Sequence, residues 1–358
     1  MTASSKGGSW LLTNVDCEFD VIEIAGRSHP VSINSSSKSG QSYVISSRSA
    51  WIDYPTEELI RRINPRLRRL VKIACHCVFS PASLLLHFCG FDKAVTVANR
   101  LVSTNLYPDW RLTDIECMTA ELTTRYAKNP LLIRNICPDV TPELASHLQQ
   151  AGWQLIPARM VYLCDPQLKS VWKHNHVKKD AKQLNNGEFE VIGPDQICST
   201  DLPRLRVLYR QLFITKHSQL NPDFTPEFFD LCLESGFLEL YGLRLHGELV
   251  GVLGLYEHPE SHWLTTPLIG YDTNVAQENG IYRCLMAMLL QEAKNRNLRL
   301  HYSSGASKFK RARGGEPSLE YTAVFSQHLS PLKRFANACF GGAMQKFAPL
   351  ILKKADDV

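Results

Sequence analysis

Two periods of apolar and polar residues are interleaved from one end of this chain to the other. Phe19 to Ala25 (FDVIEIA) alternates with period two, the mark of a half-buried strand, and Tyr43 to Ile52 offers a second. Thr56 is placed to cap a helix with Glu57 and Glu58 in its first turn. Lys93 to Val102 reads as a strand or a short helix, Leu112 to Tyr126 has helical spacing, and Leu131 to Ile136 is a short strand. Thr141, Pro142 and Gly152 bracket a helix over 142–150. Trp153 to Leu163 is a strand carrying a proline. Helices follow over Leu202 to Phe213 and, behind the cap Thr225, over Pro226 to Glu234. Leu238 to Leu245 and Leu249 to Tyr256 flank His246-Gly247, a two-residue hairpin turn, and Trp263 to Tyr271 is a third strand. Gly280 to Asn297 sets Ile281, Cys284, Leu285, Met288 and Leu289 on one helical stripe. Strands over Leu298 to Ser303 and Leu319 to Phe325, then an amphipathic helix over Pro331 to Leu352, complete the pattern. Strands and helices mixed in this way predict an α/β fold with mixed α+β sheets.

A length of 358 residues suggests two domains, expected at 1–150 and 151–358. Hydrophobic residues make up 44% and charged residues 21%, which excludes a disordered chain, a collagen-like fibre and a small disulfide scaffold. The net charge of +5 is too mild to imply nucleic-acid binding by itself. Eleven cysteines without any C-x-x-C pair read as small buried hydrophobes in a reducing compartment, and no metal site is expected. The opening MTASSKGGSWLL has one Lys and no apolar run, so a cytoplasmic location is expected rather than secretion. Ile73 to Phe91 has no charged residue and approaches the length of a membrane span, but Ser80-Pro81 breaks it into two helical pieces expected to be buried.

Candidate chemistry gathers after residue 260. Pro267 cannot donate to a ladder, so its strand must part from a neighbour or lie at an edge, leaving backbone groups for a ligand. The segment from Tyr271 to Gly280 then rises into a helix N-terminus, a place suited to phosphate. Further on stands a basic segment, Ser304-Gly305-Ala306-Ser307-Lys308-Phe309-Lys310-Arg311-Ala312-Arg313-Gly314-Gly315-Glu316-Pro317. Between the two predicted helices of the second half lies a polar loop, Thr215 to Pro222.

The strand, the Gln277-x-x-Gly280 loop and the helix after it resemble the donor-binding core of GNAT-type N-acyltransferases, with Tyr282 where that family has a small residue. The 304–317 segment resembles the G-A-x-x-F-K-x-R-x-G stretch of the GNAT subgroup related to Fem-type peptidyltransferases, which carry two GNAT-like halves. The resemblance covers about residues 200–325. It implies a C-terminal half carrying the donor-binding core and a degenerate GNAT-like N-terminal half. It implies an acyltransferase in which an amine attacks a thioester directly.

On this resemblance the donor, acyl-CoA or acyl-phosphopantetheine, would lie along Thr266 and Leu268, with Gln277, Gly280, Tyr282 and Arg313 around its phosphates. No permanently bound cofactor is implied. Lys310 stands where ordinary members place a Tyr acid and would stabilise the oxyanion or protonate the leaving group. Tyr271 and Asp272 would stand near the reaction centre, and His217 is the candidate base. Lys216, Ser218, Asn221 and Thr265 would contact a small amine acceptor. The basic clusters Arg61 to Lys72 and Lys173 to Lys182 are solvated helix faces or a docking surface for an acidic partner. Such a partner would be an acyl carrier protein, with tRNA ranked below it. Two rival functions stay open: a Fem-like peptidyltransferase using aminoacyl-tRNA, and a catalytically inactive GNAT-like binding module.

Overall fold

Strands from both halves of the chain join one 11-stranded sheet in the computed structural model. The structure describes residues 7–35, 39–64, 66–68, 81–275 and 280–357. The strands are β1 (Cys17–Ile24), β2 (Arg27–Asn34), β3 (Val95–Val97), β4 (Leu131–Ile136), β5 (Gln154–Cys164), β6 (Glu190–Ile192), β7 (Glu239–Leu245), β8 (Glu248–Glu257), β9 (Trp263–Tyr271), β10 (Arg299–His301) and β11 (Glu316–Phe325). The helices are α1 (Tyr54–Arg62), α2 (81–89), α3 (Leu112–Arg125), α4 (Pro142–Gln150), α5 (Asn175–Leu184), α6 (Leu202–Arg210), α7 (Pro226–Ser235), α8 (Ile281–Asn295), α9 (Ser307–Arg311) and α10 (Pro331–Asp357). The mixed α/β class expected from the pattern is the one observed.

Strand order across the sheet is β1-β2-β3-β4-β11-β5-β10-β9-β8-β7-β6. Apart from the edge strand β6, this order is a palindrome. One run, β1-β2-β3-α3-β4-α4-β5, with α1 and α2 inserted between β2 and β3, repeats as β7-β8-β9-α8-β10-α9-β11. The pairing repeats with it: β3 runs parallel to β4 and β9 parallel to β10, while the other pairs are antiparallel. Each run gives its last strand to the other, because β11 lies between β4 and β5, and β5 lies between β10 and β11. Arg159 of β5 and Glu320 of β11 are direct register partners midway along the central pair.

This exchange leaves neither run with a complete sheet of its own. A fragment spanning residues 1–170, expressed alone, is therefore expected to lack cooperative unfolding in a thermal melt. A sharp transition matching part of the full-length signal would overturn that expectation.

Local chemistry explains most elements. Thr225 accepts the Phe228 amide at 3.3 Å and Pro226 opens α7, as the sequence suggests. His246 and Gly247 turn the β7–β8 hairpin with φ of 52° and 84°, both left-handed. Elsewhere the pattern misleads. Residues 43–52 are a turn followed by a helical segment, not a strand; the Ser46 hydroxyl accepts the Ser49 amide and starts it. That segment, Ser49–Asp53, runs straight into α1, so Thr56 is no cap: its hydroxyl bonds back to the Ile52 carbonyl at 2.6 Å. Thr141 likewise makes no side-chain cap; Asp109 accepts the Leu144 amide of α4 at 3.0 Å instead. Of the apolar stretch 73–91, residues 73–80 lie outside those described. In the rest, Leu86, Cys89 and Phe91 are buried while Leu84 and Phe88 stand exposed. No helix among the described residues is long and apolar enough to cross a membrane.

Candidate active site

The strand carrying Pro267 parts from its neighbour as expected. β9 pairs with β10 through Thr265 opposite His301 and no further, because β10 ends there. The Thr265 hydroxyl donates to the His301 carbonyl at 2.8 Å and pins the fork at its last rung. Thr266 turns its hydroxyl onto the Gly254 and Leu268 carbonyls at 3.0 and 2.9 Å, beside the register shift that β8 makes at 254–256. The Leu268 side chain is fully buried in the core, so this residue meets the opening with backbone alone.

Beyond β10 the chain makes a tight, strained connection. Ser303, Gly305 and Ala306 all take left-handed φ, at 61°, 78° and 49°. Only the glycine adopts that region freely; each of the others costs about 1–2 kcal/mol. The turn ends in α9 and presents Lys310 back toward it. Lys310 is 4% exposed, and its ammonium donates to the Ser304 carbonyl at 2.6 Å and the Ser303 carbonyl at 3.2 Å. Burial first, then the nearby Arg159 charge, pulls its pKa down from 10.5 to about 7. A lysine so placed can be half protonated at neutral pH and can give up or hold a proton.

Arg159 anchors the other side of the same turn. Its guanidinium holds Glu320 through two bonds of 2.6 and 3.2 Å. It also donates to the Ser103 carbonyl at 2.9 Å, the Thr104 hydroxyl at 3.1 Å and the Ser304 hydroxyl at 3.4 Å. Thr104 in turn bonds the Ser303 hydroxyl at 2.9 Å, and Asn135 of β4 donates to Glu320 at 2.8 Å. Burial works to raise the Glu320 pKa, but the Arg159 charge and hydrogen bonds prevail and hold it below the ordinary value. His301, pushed by burial to about 4, is neutral; it accepts the Ser303 amide on Nδ1, which leaves the proton on Nε2, 3.7 Å from Glu320. Arg159, Glu320, Asn135, His301 and Thr104 were not singled out in the sequence. The available signal was a full charge within each of two runs read as strands.

The remaining expected residues fall into three places. At the mouth of the fork, Gly280 caps α8 with φ 67°, a conformation that explains the glycine. Gln277 lies outside the described residues. Tyr282 packs its ring on Phe309 at 4.8 Å and near Tyr271 at 6.0 Å, and burial pushes its pKa up to about 12. Arg313 is not turned to a phosphate site: buried, it pairs with Asp180 at 2.5 Å, donates to the Phe309 carbonyl and stacks on the Phe309 ring. Asp272 is likewise engaged, with Arg204 at 2.6 Å; despite burial, the Asn274 amide and Arg204 hold its pKa down. Such a carboxylate is a poor base.

The polar loop docks on α1. Ser218 donates to Glu57, Asn221 donates to the Phe213 and Ser218 carbonyls at 2.9 and 3.0 Å, and both residues are buried. Lys216 reaches the Tyr271 hydroxyl at 3.1 Å and so ties this loop to the end of β9. His217 meets Arg61 through both its ring and its carbonyl, and its hydrogen bonds run to that arginine rather than to Lys310. Burial, followed by the Arg61 and Lys216 charges, lowers its pKa against the opposing pull of Glu58. Arg61 can only donate, so Nδ1 is the accepting nitrogen and Nε2 carries the proton; the imidazole can take a second proton only when Arg61 releases Nδ1.

Residues 177–311 match the family model described as an acetyltransferase (GNAT) domain. The chain carries a GNAT acyltransferase domain. The matched GNAT segment runs from within α5 to the end of α9 and includes the fork, the polar loop and Lys310, whereas Arg159 and Glu320 lie on strands outside it. No curated protein matches the chain. Among solved structures, the chain is similar to the C-terminal domain of an Agrobacterium fabrum protein assigned as a lysylphosphatidylglycerol synthetase, at 16% identity over 65% of this chain and 79% of that one, with a TM-score of 0.47. L-PGS from Bacillus licheniformis is similar at 13% identity over 64% and 78%, with a TM-score of 0.45. FemX is similar at 10% identity over 63% and 79%, with a TM-score of 0.48. At TM-scores below 0.5 these likenesses assign nothing to individual residues.

Proposed function

We propose that this protein transfers an acyl group from a carrier-bound donor to an amine by direct attack at the fork between β9 and β10. The observation that carries the proposal is Lys310, a buried amine with a pKa of about 7 held against the strained turn after β10. In the proposed step the acceptor nitrogen attacks the acyl carbon, and the C–S bond to the donor breaks. The Lys310 ammonium steadies the oxyanion as it forms and can pass its proton to the departing thiolate. The acceptor amine loses its proton to a base, for which His217, once Arg61 swings off its Nδ1, is the candidate through an intervening water. Arg159, by holding Ser304 and lowering the Lys310 pKa, positions that lysine without touching substrate.

Two observations bear on the carrier. Tyr282 and Phe309 occupy the mouth of the fork with aromatic rings, which disfavours a free nucleotide pyrophosphate there. The basic cluster at 173–182 exposes Lys173, Lys178, Lys179 and Lys182, which suits an acidic macromolecule. An acyl carrier protein is the first choice. An aminoacyl-tRNA is the second reading: its leaving ribose hydroxyl needs a proton more than a thiolate does, and Lys310 can supply one. Assays with acyl-CoA, acyl carrier protein and aminoacyl-tRNA, each at low and high salt, separate the readings. The rate with the true macromolecular donor is expected to fall with ionic strength, because exposed charges are screened over about 8 Å at physiological salt. A rate independent of salt, or activity with acyl-CoA alone, would overturn the carrier reading.

The pH profile tests the chemistry. Because Lys310 acts in its protonated form, turnover is expected to decline as pH rises through about 7. That limb should vanish in Lys310→Arg, whose guanidinium does not titrate in this range. A wild-type profile flat from pH 6 to 9 would count against an acidic Lys310.

A further inference from the structure

Helix α10 is apolar on two sides and only one of them is covered. Its inner stripe, Ala336, Asn337, Phe340 and Ala348, packs on the sheet and on the end of α2, where Asn337 donates to the Cys89 carbonyl at 3.0 Å. Its outer side carries Leu332, Phe335, Phe347, Leu350 and Ile351, all between 54% and 69% exposed. Next to it, α2 leaves Leu84 57% and Phe88 50% exposed. A helix apolar all round normally has a second neighbour, and contiguous exposed apolar surface of this extent marks a place of contact.

Along α10 the charges beside these side chains are all of one sign. From 331 to 353 the helix has Lys333, Arg334, Lys346 and Lys353 and neither Asp nor Glu; acidic residues return only at Asp356. The exposed apolar positions from Leu332 to Ile351 extend over roughly 28 Å of one helix at ~1.5 Å per residue, with Pro349 near its far end. They project outward from a helix instead of lining a groove. We propose that this face lies in the plane of an anionic lipid surface, with the Leu, Phe and Ile side chains in the headgroup–acyl boundary and Arg334, Lys346 and Lys353 at the phosphates. The helix is too polar to cross a bilayer, but an in-plane helix needs only one apolar side and a cationic flank. Charge also argues against a second copy of the chain as the occupant. Two such faces would bring flanks of the same sign together, with no carboxylate from this stretch between them.

The test uses the full chain and vesicles of phosphatidylcholine with or without phosphatidylglycerol, read by co-sedimentation. Binding is expected to the anionic vesicles, with a loss of about tenfold or more on neutral ones or in 0.5 M salt. Phe335→Ser with Leu350→Ser, and separately Lys346→Glu with Lys353→Glu, should each weaken it about tenfold while leaving the melting temperature within a few degrees. All four side chains stand at the surface, so retained folding is expected, and the melt checks it. Absence of binding to anionic vesicles would overturn the proposal, as would equal binding to both vesicle types. A dimer in sedimentation velocity that Phe335→Ser with Leu350→Ser dissociates would overturn it in favour of self-association, and one-to-one capture of an acidic protein at this face in place of vesicles would overturn it in favour of that partner.

Discussion

Lys310→Ala is expected to lower turnover roughly 10²–10³-fold while leaving donor and acceptor affinity nearly unchanged, the behaviour of a lost oxyanion donor. The ammonium already sits on two carbonyl oxygens of the turn and keeps a third N–H to direct at a substrate oxygen. Alanine removes that donor and leaves the turn's carbonyls short of a partner. Arginine should rescue poorly, since a planar fork does not fit a site closed around a compact charge. Lys308→Ala, on a residue of α9 that is exposed, is the control and should be mild. Wild-type turnover by Lys310→Ala at saturating substrates would remove Lys310 from the mechanism. The same residue has a signature in stability. Its folded pKa of about 7 lies below the unfolded value of 10.5, so between those pH values the unfolded chain binds the extra proton. Wild-type stability should therefore rise from pH 7 toward pH 10 relative to Lys310→Met, and the gap between the two should stop changing below pH 7.

Arg159→Met should be the most damaging single change to the fold, costing about 3–5 kcal/mol, because it strands the Glu320 carboxylate 1% exposed at the middle of the sheet. The reverse loss, Glu320→Gln, should cost less, since the amide can still accept from Arg159 and Asn135 can reorient. The double variant Arg159→Met with Glu320→Leu should recover much of the stability, as paired apolar replacements of buried ion pairs do. Chemical denaturation of the four proteins decides it. If Arg159→Met unfolds with the wild-type midpoint, the pair contributes nothing that an uncharged contact could not.

Where the sequence was legible, a local rule was at work. The β7–β8 hairpin was visible because His246-Gly247 fits a turn that needs two left-handed residues. Trp263 to Tyr271 was visible as a strand, and Pro267 announced the fork. Residues 43–52 were not, because their apolar spacing suits either period and Ser46 decided for the helix. The palindrome of strands was out of reach for another reason: β5 and β11 each carry a charge among apolar residues, but nothing within either names its neighbour. The site divides in the same way. Lys310 stands in a motif and could be picked out, whereas Arg159 and Glu320 acquire meaning only when strands 161 residues apart come into register. Arg313 and Asp272 looked like site residues because they are charged and near the motif, but Asp180 and Arg204 claim them first.

The exchange of last strands sets a schedule for synthesis. As the chain leaves the ribosome, β4 and β5 emerge early, yet the strand that belongs between them is β11. About 150 residues separate Cys164 from Glu316, which at 5–20 residues per second is roughly 8–30 s of translation. Through that interval the nascent N-terminal half carries an open slot with two unpaired strand edges in a crowded compartment. Folding must then wait on the finished chain instead of following the order of translation. Holding that slot closed until β11 arrives is the kind of task at which a ribosome-associated chaperone would act, and a stalled chain ending before residue 316 is the species it would hold.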